Sequence, residues 1–149
     1  MKFKYRLTLL QKMAREKERQ EKIELGRLIQ ERSGVTIRLQ ALSEKMTYWY
    51  QQYNVHSWNP TEVGLIENHL AFIDKQKREL LSVLRELEEK IKAKRLEVSE
   101  AYKTKRKYEI HEEYQKKTYM EEVASIENRE TADMIQVQYF RKHHSEVRT

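Results

Sequence analysis

The apolar residues of this 149-residue chain recur in steps of three and four. A first run reads Leu25, Leu28, Arg32, Val35, Leu39, Leu42, Met46, Trp49 and Tyr53, with Arg32 its one interruption. A second reads Val63, Ile66, Leu70, Ile73, Lys77, Leu80, Leu84, Leu87, Ile91, Lys94, Val98, Ala101, Lys105 and Tyr108. Alternating steps of three and four are the heptad pattern of a coiled coil, because they keep a narrow apolar stripe on one helix face. Such a stripe needs few apolar residues, and the chain has only 38% hydrophobic residues against 36% charged. With three Gly and one Pro, it lacks the turns that a sandwich or an α/β fold requires. Gly34 lies inside the first run and softens the helix there, but the phase continues across it.

Between the runs, residues 54–59 read as the one loop. Asn59-Pro60-Thr61-Glu62 then has the form of a helix start: Asn59 caps, Pro60 suits the first helical position, and Glu62 closes a capping box. Trp58 and Val63 have the spacing of a hydrophobic staple across that cap. Two amphipathic helices joined by a short loop return antiparallel. The expected fold is therefore all-α: a long two-helix antiparallel coiled coil forming a single domain over 1–149. Helix one covers about 3–53, the loop 54–59 and helix two about 60–142. Folding about the loop places Leu7 near Arg106, Leu25 near Glu88 and Trp49 near Gly64. Helix two outruns helix one beyond about residue 112. The overhanging tail keeps a ragged pattern (Tyr119, Val123, Ile126, Met134, Val137, Phe140) and is expected to fray alone and to order on a partner.

The motifs of catalysis are not found. Gly26, Gly34 and Gly64 are isolated, so no phosphate-binding loop is formed. His111-Glu112-Glu113 lacks the second histidine of a zinc-protease helix, since position 115 is Gln115. His143-His144 reads as polar terminus, and Glu88-Glu89 as solvated helix surface. With no cysteine there is neither a disulfide nor a thiol nucleophile. The chain is read as a non-enzyme with no cofactor and no metal. No stretch reaches the ~18–20 apolar residues of a membrane span, and the N-terminus lacks a signal-peptide run. The expected location is cytosolic.

Charge is uneven along the chain. Residues 1–24 carry eight basic and four acidic side chains, residues 75–107 twelve and six, and residues 108–140 three and eight. In an antiparallel pair the positive charge gathers at the free end, in Lys2, Lys4, Arg6, Lys12, Arg15, Lys103, Lys105, Arg106 and Lys107. Such a cluster is either solvated surface or an electrostatic footprint for an acidic cavity. Nucleic acid is not an expected partner: the basic residues are interleaved with Glu, and the aromatic-plus-basic platform of a single-strand binder is missing. Tyr48, Tyr50, Leu65 and Phe72 fall off the seam. Leu65, His69 and Phe72 share one face, so Tyr48, Leu65, His69 and Phe72 form either a contact patch or a widened core.

The opening Met1-Lys2-Phe3-Lys4-Tyr5-Arg6-Leu7-Thr8-Leu9-Leu10, with the charged run to Glu24, resembles the start of the flagellar export protein FliJ family. Chain length, the loop near residue 56 and the overhanging second helix are also similar. Toward the C-terminus the family carries a basic residue shortly before an Asp and a second acid. Arg129 and Asp133 fill two of those positions, whereas Met134 stands at the second acid and Glu130 where a base is usual. The aromatic common just after the loop is displaced, with Ile66 and His69 at the equivalent positions and Phe72 as its substitute. The resemblance implies a cytoplasmic, peripheral component of the flagellar type III export apparatus. It would be a stalk that stands in the hexameric export ATPase through the basic end, touches the membrane export gate through Tyr48, Leu65, His69 and Phe72, and assists export chaperones. The equivalent stalk of a virulence-type secretion system, a self-associating structural coiled coil and a basic nucleic-acid-binding coiled coil are the alternatives.

Overall fold

A computed structural model describes residues 2–55 and 58–147. It contains two α-helices, α1 (Thr8–Val55) and α2 (Pro60–Val147), packed against each other, and no strand among the described residues. The chain divides into two units, Arg15–Tyr102 and the pair Met1–Ala14 with Lys103–Thr149.

In the first unit α1 and α2 run antiparallel along the predicted seam. Every first-run position from Leu25 to Trp49 is buried or half-buried, and so is every second-run position from Val63 to Ala101. Leu28, Val35, Leu87 and Ile91 form the core cluster, with Leu25, Ile29, Leu39, Leu80 and Leu84 packed around it. Ile73 and Ile91 are each only 2% exposed, and burying one such side chain stabilises by about 1.5–3 kcal/mol.

The start of α2 follows the capping logic. The Asn59 Oδ1 accepts the Glu62 N–H at 2.8 Å, and a Glu62 carboxylate oxygen accepts the Asn59 N–H at 3.3 Å. Val63 N–H closes the first helical turn on the Asn59 carbonyl at 3.0 Å. The Trp58 indole N–H donates to the Gln52 carbonyl at 3.3 Å. That bond ties the residue before the cap to the last turn of α1.

Four expectations need correction. Asn54 and Val55 belong to α1 rather than to the loop, since neither breaks a helix; His56 and Ser57 lie outside the described residues. Helix one begins at Thr8, not near residue 3. Residues 2–7 leave the helix because Tyr5 turns inward: it is buried, and its hydroxyl donates to the Tyr108 carbonyl at 3.3 Å. The Thr8 hydroxyl holds the turn by donating to the Tyr5 carbonyl at 2.6 Å, and the Gln11 N–H to Leu7 carbonyl bond at 2.9 Å starts the helix. Helix α2 runs on through Val147, past the expected end near residue 142, with no Gly or Pro after Gly64 to interrupt it.

The fourth correction is register. Trp49 packs edge-on against His69, with ring centroids 5.3 Å apart, rather than lying beside Gly64. Leu7 shares a groove with His111 and Gln115 rather than with Arg106. Helical side chains lean toward their own N-termini, by about one residue position. In an antiparallel pair the two leans are opposed, so contacts are displaced the same way everywhere, and the longer α1 adds to the shift.

Two outcomes test the seam. Ile91→Ala should destabilise by about 2–5 kcal/mol, because it opens a cavity in the core cluster. Gly34→Ala should stabilise by about 0.5–1 kcal/mol, since a Cβ there meets nothing within 4 Å. Thermal melts followed by circular dichroism read both.

Candidate partner-binding surfaces

The heptad phase of α1 runs backward past Leu25 through Glu21, Glu18, Ala14, Gln11 and Leu7, and these positions too are buried or half-buried. Gln11 is 3% and Glu18 4% exposed. The seam therefore continues with polar contacts where the apolar run ends. In the Arg15–Tyr102 unit, Lys94 occupies a seam position and donates to Glu21 at 2.9 Å and to Glu97 at 2.7 Å. The hydrogen bond to Glu97, then that to Glu21, holds the Lys94 ammonium well above the usual Lys range. Glu18 pairs with Lys22 at 2.7 Å.

In the other unit Gln11 donates its amide to the Glu112 carboxylate at 2.6 Å. The Tyr5 hydroxyl lies 2.7 Å from His111 Nδ1, and the two rings are tilted at 5.6 Å. Burial, then the neighbouring Glu112 and Tyr108, push the Tyr5 hydroxyl up from its ordinary value, so it stays protonated and donates. Phe3 packs on Tyr119 at 5.5 Å. These aromatic contacts fasten the non-helical opening segment onto α2. Periodicity alone gives no sign of them, because residues 2–7 are not in a helix.

The predicted basic residues divide between the units. Lys2, Lys4, Arg6 and Lys12 are exposed, and residues 2–14 contain no acidic side chain. Lys103, Arg106 and Lys107 of the same unit are also exposed. Arg106 lies 3.2 Å from Glu109 and 3.6 Å from Glu113, so its charge is partly offset. Lys105 is half-buried at a seam position and is a poor contact for an external partner. Arg15 is exposed but belongs to the other unit.

The aromatic patch lies wholly within Arg15–Tyr102. Tyr48, Leu65 and Phe72 are 55%, 65% and 57% exposed, and His69 is exposed as well. Each precedes a seam residue by one position: Trp49, Ile66, Leu70 and Ile73. In an antiparallel pair these flanks of the two helices lie on the same side. Trp49 links Tyr48 and His69 across the two helices, edge-on to Tyr48 at 5.6 Å and to His69 at 5.3 Å. On the same flank, Arg38, Ala41, Leu42, Lys45, Glu79, Leu80 and Val83 line an open groove of about 520 Å³. The opposite flank carries a groove lined by Met46, Tyr50, Tyr53 and Leu70 with Glu67 and Asp74, which the sequence reading did not single out.

Among the described residues no three His, Asp or Glu side chains converge as a metal site, and no helix is long and apolar enough to cross a membrane. Comparison with protein-family models, characterised proteins and solved structures gave no match for this chain.

The exposure of Tyr48 and Phe72 predicts that a Tyr48→Ala, Phe72→Ala double variant melts within a few degrees of the parent, as surface changes usually do. Leu84→Ala, at the seam, should melt clearly earlier. A double variant that melts as early as Leu84→Ala would place those rings in the core.

Acid should weaken the fold in a defined direction. Glu16, Glu24 and Glu97 lie below the ordinary Glu range, chiefly through hydrogen bonds from Arg19, Arg27 and Lys94 respectively. Carboxylates depressed on folding contribute stability above the unfolded Glu value of about 4.3, and it is lost as pH falls through the folded values. A melting temperature that declines as pH falls below about 4.3 is the expected result. The decline should be shallow, because solvent screens these pairs.

Proposed function

We propose that this chain is a non-enzymatic stalk or adaptor of the flagellar type III protein export apparatus, joining a hexameric export ATPase to the cytoplasmic face of the membrane export gate. The resemblance of Met1–Leu10 and of the helix layout to the FliJ family motivates the reading. The observation that carries it furthest is the stretch of residues 2–14, whose four basic side chains, Lys2, Lys4, Arg6 and Lys12, face solvent with no acid among them. Lys103, Arg106 and Lys107 in the same unit extend that basic surface. An acidic ring interior would attract such a surface and hold it loosely enough to dissociate, since exposed charge complementarity raises association rate and selectivity more than affinity.

The partly exposed aromatics of the other unit suit a different partner. Interface hot spots are enriched in Tyr, and apolar anchors bind best when ringed by polar groups. Tyr48, Leu65, His69 and Phe72 meet that description and are assigned to the export gate. The long exposed tail of α2 leaves a further surface for export chaperones.

The structure refines which substitutions test the ATPase contact. Lys105 is held at the seam and Arg106 is paired with acids, so Lys4, Arg6, Lys12 and Lys107 are the residues to reverse. Changing these four to Glu should weaken binding to purified export ATPase by more than tenfold at low salt, roughly 1.4 kcal/mol or more. Helix content should be unchanged by circular dichroism, and parent binding should fall as salt rises. Binding that is insensitive to both salt and reversal would remove the basic surface from the mechanism. The Tyr48→Ala, Phe72→Ala variant should keep ATPase binding and lose the gate domain, with loss of swimming in a complemented strain. Failure of the parent chain to bind either protein would defeat the whole assignment.

A further inference from the structure

Beyond the aromatic patch, the same flank of the Arg15–Tyr102 unit stays open. Arg38, Ala41, Leu42 and Lys45 stand at i, i+3, i+4 and i+7, so they share one face of α1. Gln76, Glu79, Leu80 and Val83 repeat that spacing on α2. Between the two faces runs the groove of about 520 Å³. A second groove, of about 360 Å³, carries on along the flank through Arg38, Val83 and Gly34. Leu42 and Leu80 are half-buried and Val83 is 42% exposed, so the floor is apolar and reachable from solvent.

The two rims of this groove are opposite in sign. Helix α1 contributes Arg38 and Lys45, and α2 contributes Glu79 and Glu86, all four of them exposed. Arg38 and Glu79 line the same groove, yet none of the four makes an ion pair or a hydrogen bond among the described residues. The polarity is confined to this stretch: farther on, α1 offers Glu31, already paired with Arg27, and α2 offers Lys90. From Gln76 to Glu86 is roughly 15 Å, or about three helical turns. An amphipathic helix laid there would cover Leu42, Leu80 and Val83 with its apolar stripe. If acids ran along one side of that stripe and Lys or Arg along the other, both rims would meet opposite charge. Acids on both sides, or bases on both, would be repelled by one rim. We propose that this groove docks an amphipathic helix of a partner protein, about three turns long, with its acids toward α1 and its bases toward α2. The groove shares no residue with Tyr48, Leu65, His69 and Phe72, and the inference does not depend on the function proposed above.

Stapled helical peptides test this on the full chain, read by fluorescence anisotropy. They share one apolar stripe and differ only in its flanks: Glu on one side and Lys on the other, Glu on both, or Lys on both. A mixed peptide can turn end for end, so one mixed form suffices. The parent should bind the mixed peptide several-fold more tightly than either of the others, and the preference should shrink as salt rises. With Arg38→Glu and Lys45→Glu both rims are acidic, and the preference should pass to the Lys-flanked peptide. With Glu79→Lys and Glu86→Lys it should pass to the Glu-flanked one. If a reversed variant melts early, Arg38→Gln with Lys45→Gln should abolish the preference between the mixed and Lys-flanked peptides. Ala41→Trp, an exposed change at the edge of the groove, should abolish binding without lowering the melting temperature, whereas the Tyr48→Ala, Phe72→Ala variant should bind as the parent does. The inference is overturned if the parent binds the mixed peptide no better than one with a scrambled stripe, or if all the proteins prefer the same peptide. It also fails if a folded Ala41→Trp variant binds undiminished, or if binding is lost with Tyr48 and Phe72 instead. A parent chain that dimerises without peptide, through a contact that Ala41→Trp removes, would give the groove to a second copy and equally overturn it.

Discussion

The contact between α1 and α2 is what permits either helix to exist. Isolated helices are marginal in water because nucleation is costly and each residue adds little. This chain also has few apolar side chains with which to offset that cost. The solution is a seam one or two residues wide, where Leu28, Val35, Leu87 and Ile91 are removed from water and almost everything else is left in it. The solvent-facing remainder is then free to vary in charge. One chain can therefore carry a basic surface, an aromatic patch and an acidic stretch without loss of fold.

A seam built only of leucines would tolerate sliding by a heptad, since every register would bury similar residues. Here the polar positions restrict it. Lys94 must meet Glu21, and Gln11 must meet Glu112. A one-heptad slip would part Lys94 from Glu21 and set each against an Ala or Leu of the other helix, leaving Glu21 half-buried without its cross-helix partner. Such pairs add modest stability and a large preference for one alignment.

Much of this was legible in the residues. The three-and-four spacing fixed the buried positions from Leu25 to Trp49 and from Val63 to Ala101, and the Asn59–Glu62 box located the start of α2. The polar half of the seam was hidden because a search for apolar residues stops at Leu25, although the heptad phase does not. Register was misjudged because pairing was counted between backbone positions, whereas contacts are made by side chains that lean. The non-helical opening was invisible for a different reason. Tyr5 leaves the helix for partners about a hundred residues away, at Tyr108 and His111, and no local pattern encodes a contact of that range. The flank of Tyr48, Leu65, His69 and Phe72 could be named from spacing, but its exposure and the packing of Trp49 against Tyr48 and His69 could not.

That same Tyr5 contact bears on how the chain assembles. The turn at Asn59 and Pro60 joins residues already close in sequence, so closure there loses little chain entropy. Pairing can then advance from the turn one heptad at a time, each step local once the previous one has formed. The Tyr5 hydroxyl meets Tyr108 and His111 across separations of 103 and 106 residues, contacts that become cheap only after the seam has closed almost completely. The opening segment should thus be the last part to dock and the first to lift. Amide hydrogens around Gln11 should exchange through brief local opening while those at Ile91 wait for global unfolding. The chain is a zip fastener with its tab at Tyr5: the end that carries the basic side chains is also the end that can be released without undoing the rest.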